Sequence, residues 1–429
     1  MLRVSGSRLV FTLALTSIVV SSAISGCADS PEPVVAPPLG TACPDDLAAG
    51  AALGITPIPD DVPGAYGEVF CKYTEIVAPN GKPIRIFAEK EISNEQLVHA
   101  RGVLGFFIED VPGSEYGADK SAIANKMADN NATLIMMKGH DGEFDRYDSD
   151  VWREIDGQAL YEDETVTTGS DWYVNNVYEG HRDASFEEIL HLVHDYGIGV
   201  DVEWAPEGAA PEYQAQIREA LDNALYDEGL WAQDERFADW VEEIREEGSL
   251  TQEYLASVID SYYGLWGAFT ERPGGMWGGY IAKTREEIAE KDPRGYALME
   301  MFFNPYVSYE ARVDSGFEGT FFMSFDPEVP YAHKSQYLVN VMLTGERDSA
   351  LSGNDQDNRL SGNAGDNYLD GGAGIDTVRF TGPRDEYEVR RDGNTLIVED
   401  SVPGRDGIDT LAGIERLEFS DSTVEAEGA

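Results

Sequence analysis

A nine-residue spacing dominates the C-terminal part of this 429-residue chain. Leu351, Leu360, Leu369 and Val378 recur with that period, and Gly353, Gly362 and Gly371 keep the same step. A unit this short cannot bury an apolar side chain by itself. It must stack on its neighbours, with the aliphatic position inside and glycines at turns that other residues resist. The fullest copy reads Gly371-Gly372-Ala373-Gly374-Ile375-Asp376-Thr377-Val378.

That copy resembles the RTX nonapeptide of haemolysin-type calcium-binding proteins, G-G-x-G-x-D followed by any residue and an aliphatic one. The resemblance implies a parallel β-roll in which turn carboxylates and backbone carbonyls of stacked turns wrap a hard cation. Carried over residue by residue, the calcium-binding positions are Gly353, Asp355, Asp357, Gly362, Asp366, Gly371, Gly374 and Asp376. Asn358 and Asn367 depart from the pattern, standing where the family prefers Asp, with Asp357 and Asp366 one residue earlier. The bland alternative is a small β-roll cap that binds calcium weakly or hardly at all. Past the repeats, strands are expected around Asp392-Gly393-Asn394. The segment Asp406 to Phe419 looks like the usual end of RTX proteins, acting either as a folding cap or as an export address.

Charge narrows the partners. The chain has 31 Lys and Arg against 80 Asp and Glu, a formal charge of −49. A phosphate-neutralising surface must be basic, so nucleic acid is excluded as a partner, and an anionic membrane face is disfavoured for the same reason. Hydrophobic residues at 42%, with 7 Trp, 21 Tyr and 17 Phe, are too many for a disordered chain. Calcium ions are the partner the RTX resemblance implies; no protein partner is implied.

The N-terminus reads as an export signal. Arg3 and Arg8 precede an apolar run from Leu9 to Val20 that is too short for a stable membrane span. Ile24-Ser25-Gly26-Cys27 resembles a bacterial lipobox, which implies lipidation of Cys27 and attachment to the membrane through that lipid alone. The alternative is an ordinary signal cleaved near Ala23. With Ala28 after the Cys, the resemblance favours the outer membrane or cell surface. Of three Cys, setting Cys27 aside leaves Cys43 and Cys71, read in an exported protein as one disulfide, or else as two free buried thiols.

Between these ends the chain reads as one α+β domain. Asn80-Gly81 marks a hairpin, Ser93 and Ser185 stand at helix starts, and Tyr306 to Phe325 suggests a second hairpin. Phe186 to Asp195 carries the one candidate for catalysis. It resembles, in degenerate form, the H-E-x-x-H helix of zincin peptidases, with Glu187 in place of the first His. Glu187, His191 and His194 fall on one helix side and would be zinc ligands, with Glu188 as catalytic general base and Glu300 as one guess for a further ligand. His140, His181 and the loop Gly274 to Gly279 are weaker candidates.

The expected architecture is an α+β globular domain, zincin-like by that resemblance, followed by a short parallel β-roll and a β-rich C-terminal cap. Its parts are a lipoprotein signal peptide over 1–26, a Pro-rich tether over 27–66, the α+β domain over 67–345, the β-roll over 346–380 and the cap over 381–429. The expected function is that of an exported, lipid-anchored calcium-binding surface protein whose middle domain is a binding or degenerate zincin-like module. The alternative is a zinc-dependent metallopeptidase-like hydrolase.

Overall fold

Strands β1 (Lys72–Val77) and β2 (Pro83–Ala88) form the hairpin that Asn80-Gly81 implies, with Tyr73 opposite Phe87 and Gly81 at φ 81° in the turn. The structure is a computed structural model that describes residues 46–140, 149–178, 181–202 and 205–428. Strand β3 (Thr133–Met137), buried at every position, lies parallel to β2, and β4 (Gln158–Tyr161) lies parallel to β3. The crossover from β2 to β3 runs through helices Asn94–Ile108 and Ser121–Asp129. Ser93 and Gln96 close a reciprocal capping box on the first of these, which buries Leu97, Ala100, Val103, Leu104 and Phe107 at helical spacing.

Helix Ser185–Val193 packs between this sheet and helix Leu250–Tyr262, and all nine of its residues are buried. The expected cap at Ser185 is shifted by one. Ala184 occupies the cap position without a side-chain bond, and Ser185 instead donates its N–H and hydroxyl to Asp183. Helices Pro211–Asp222 and Pro293–Phe302 complete the layer, with Tyr213 stacked on Phe302 at 4.5 Å between ring centres. Among the described residues no helix is long and apolar enough to cross a membrane.

From Val307 the chain winds through two six-stranded sheets. Strands β5 (Val307–Val313), β7 (Leu338–Leu343), β9 (Arg359–Ser361), β11 (Thr377–Arg379) and β15 (Arg416–Glu418) share one sheet, all parallel. Strands β6 (Thr320–Phe322), β8 (Ala350–Ser352), β10 (Tyr368–Asp370) and β14 (Ile408–Ala412) share the other, also parallel. Two columns of buried side chains result. Ala311, Val341, Leu360, Val378 and Leu417 stack in one, and Phe321, Leu351, Leu369 and Leu411 in the other.

Two expectations are corrected here. Residues 306–325 do not form a hairpin, because β5 pairs with β7 and β6 with β8. The roll's sheets therefore run upstream of the expected start at 346, since Ala311, Phe321 and Val341 continue the aliphatic columns without the repeat's glycines. At the far end β12 (Tyr387–Asp392) and β13 (Thr395–Asp400) pair antiparallel and cover β14, while β16 (Thr423–Glu425) covers β15. The whole is a mixed α/β chain with a β-rich C-terminal region.

Leu360 is fully buried between Val341 and Val378. Leu360→Ala is expected to cost roughly 2–5 kcal/mol in chemical denaturation.

Candidate metal centres

The buried helix Ser185–Val193 and the His194 that follows it take four polar side chains out of water. Glu187 pairs with Arg182 at 2.7 Å, and Gln158 of β4 donates to Glu188 Oε2 at 2.7 Å. His191 is 1% exposed, with Nδ1 3.6 Å from Glu188 Oε2 and Nε2 3.6 Å from Glu253 Oε1. Burial works against its charged form, but Glu253 and Glu188 outweigh it and push the imidazole up to about 9. His194 lies 2.6 Å from Gln214 Oε1, and Gln214 in turn donates to Asp201.

The three expected zinc ligands thus have three different partners. Arg182 supplies Glu187 with the positive charge that a metal would otherwise bring, and its guanidinium also lies 4.8 Å above the Trp277 ring. Asp260 shares this environment: burial first, then Glu187, raises its carboxyl well above the ordinary value. Among the described residues no three His, Cys, Asp or Glu side chains are disposed to hold a metal ion, and this helix does not fit zinc. Glu188 is buried and accepts its hydrogen bond from Gln158. Glu300 and His140 are exposed, and His181 lies against Trp172. Trp277 takes its place over Arg182 from a left-handed backbone, φ 50°, following Met276 at φ 47°.

The repeat turns are built differently. Asp355, Asp357 and Asp366 lie on the exterior. Asp355 accepts from Gln356, Asp357 from the Ile375 N–H at 2.8 Å, and Asp366 from the Ile408 N–H at 2.9 Å. Asp376 points inward and is fully buried. Its Oδ1 accepts from the Asn358 N–H at 2.7 Å, whereas Oδ2 has no hydrogen-bond partner. A Cβ on Gly371 would strike both that oxygen and the Gly413 carbonyl, so glycine is what leaves the two oxygens room to converge. Gly374, at φ 128°, completes the same turn.

Asp409 repeats the arrangement one coil on. It is 1% exposed, its Oδ1 accepts from the Asn367 N–H at 3.0 Å, and its Oδ2 is likewise without a partner.

No family model matches the chain, and no curated protein matches it. Among solved structures, the extracellular lipase LipA from Serratia marcescens is similar at 10% identity, with a TM-score of 0.15. The match covers 87% of this chain and 61% of the lipase, so the chain spans less than two thirds of that protein's length. A likeness of that size carries no argument about fold or activity.

A carboxylate oxygen buried without a donor costs several kcal/mol unless a cation or proton reaches it, and a hard divalent ion is the natural complement of an oxygen-only setting. Calcium therefore fits Asp376 and Asp409. Of the two participants not singled out from the sequence, one escapes a reading by motif and one does not. Glu253 stands 62 residues after His191 with no spacing to announce it, whereas Asp409 had a signal. Gly407-Ile408-Asp409-Thr410-Leu411 echoes Gly374-Ile375-Asp376-Thr377-Val378. Cys71 is disulfide-bonded. Its expected partner Cys43, and Cys27, lie outside the described residues.

Proposed function

We propose that this chain is an exported calcium-binding surface protein, lipid-anchored through Cys27, with an RTX-type β-roll closed by a β-rich cap. The observation that carries the calcium reading is the pair of buried, donor-free oxygens on Asp376 and Asp409. The glycine repeat and its aliphatic columns support the RTX assignment, and the lipobox-like Ile24-Ser25-Gly26-Cys27 supports export. The middle domain is read as a binding or degenerate zincin-like module, because Glu187 and His191 are engaged in ion pairs.

Calorimetric titration of chelator-treated protein tests this. Saturable, heat-releasing calcium uptake is expected, reduced by one ion per chain in Asp376→Asn; a flat titration would refute the reading. Elemental analysis adds a second expectation. Calcium is retained in both wild type and His191→Ala, and zinc stays at background in both. Stoichiometric zinc lost on His191→Ala would restore the hydrolase alternative.

A further inference from the structure

The turns of the roll come in two kinds, set by one pair of positions. In the first two glycine turns, residues two and six are both asparagine. The Asn354 N–H donates to Asn358 Oδ1 at 2.9 Å, and Asn358 Nδ2 donates back to Asn354 Oδ1 at 2.8 Å. Asn354 Nδ2 reaches the Leu338 and Gln336 carbonyls at 2.8 and 3.2 Å. Asn363 and Asn367 do the same at 2.8 and 3.1 Å, with Asn363 Nδ2 donating to the Thr344 and Arg347 carbonyls, each at 3.0 Å. In the third turn position two is Gly372, which offers no side chain, and position six is Asp376 with its open oxygen.

An amide NH2 gathers carbonyl oxygens by donating protons to them, as an ion gathers them by charge. We infer that the two asparagine pairs stand where ions would sit, so the first two turns lock without metal. Divalent cation uptake is confined to the Asp376 and Asp409 coils. Its second half rests on the calcium reading above; its first half does not. The roll is then a graded device, with a permanently latched entrance and a C-terminal end that closes only when the ion arrives.

Hydrogen exchange on the full chain, in chelator and in calcium, reads both halves. In chelator, backbone amides of β9 and of residues 353–358 keep their protection, while those of β11, β14 and β15 lose it and regain it with calcium. Two variants read the stoichiometry by calorimetry. Asp376→Asn lowers it by one ion, and Asn354→Gly with Asn358→Asp raises it by one. If the chain takes calcium but residues 353–361 also exchange freely in chelator, the latch is overturned while the calcium reading stands. If the chain takes no calcium and 353–361 stay protected, the calcium reading fails and the latch survives. An unchanged stoichiometry in both variants overturns the assignment of sites.

Discussion

In chelator, raising the pH from about 5 to about 8 is expected to lower the stability of the C-terminal roll, and calcium is expected to abolish that drop. Burial is the main cause that pushes the Asp376 carboxyl from its ordinary 3.8 up to about 7; the Asn358 N–H opposes it, and Glu415, Asp357 and Asp370 add to it. The Asp409 carboxyl is also raised, again chiefly by burial. Between the unfolded and folded values of such an acid the fold holds a proton that the unfolded chain has lost, so stability falls as the pH rises across that interval. Its contribution is thus full below about pH 4 and disappears as the pH rises through about 7. Calcium binds the carboxylate form, so its stabilising effect grows over the same interval. A site at a hundredfold excess over its dissociation constant contributes about 2.7 kcal/mol. Melting curves in chelator and in calcium at the two pH values give the result directly. A calcium shift as large at pH 5 as at pH 8 would exclude Asp376 as the titrating ligand. Asp376→Asn should reduce the pH dependence in chelator and the calcium response by one site's share, leaving the share that belongs to Asp409.

Arg182→Leu is expected to destabilise the middle domain by roughly 3–5 kcal/mol, the loss typical of removing one partner from a buried ion pair. The guanidinium serves Glu187 at 2.7 Å and lies over Trp277, and it faces the Asp260 carboxyl as well. Burial opposes its charge, but Glu187, Asp260 and Glu164 outweigh that and hold it firmly protonated. Without it the buried Glu187 carboxylate loses its counter-charge while Asp260 stays beside it. Adding Glu187→Gln to Arg182→Leu should recover part of the loss, and urea unfolding followed by tryptophan fluorescence measures the coupling. If the two single losses simply add, Arg182 is a packing residue and the ion pair contributes little.

What could be read in advance was local. Asn80-Gly81, the Ser93 helix cap and the nine-residue period each act over a few residues, and each element formed where its chemistry placed it. What escaped depends on long-range meeting. Residues 306–325 have hairpin alternation, yet pairing in the roll wins because Val341 and Leu351 supply longer apolar columns than a hairpin would. The helix at 185–193 shows the same limit. Its motif set Glu188 and His191 on the right spacing, but Arg182, Gln214 and Glu253 decide what those side chains do, and they come from three other segments.

Successive repeats alternate between the two sheets, so Leu351 is in register with Leu369 and Leu360 with Val378. The roll therefore has a parity. Removing one nine-residue unit would deliver every later strand to the opposite sheet, sending the β12–β13 hairpin to the face that β16 now covers. Removing two would preserve the assignment of all strands that follow. A chain built this way can lengthen or shorten only in even steps, and a single-repeat deletion is a more severe lesion than a double one.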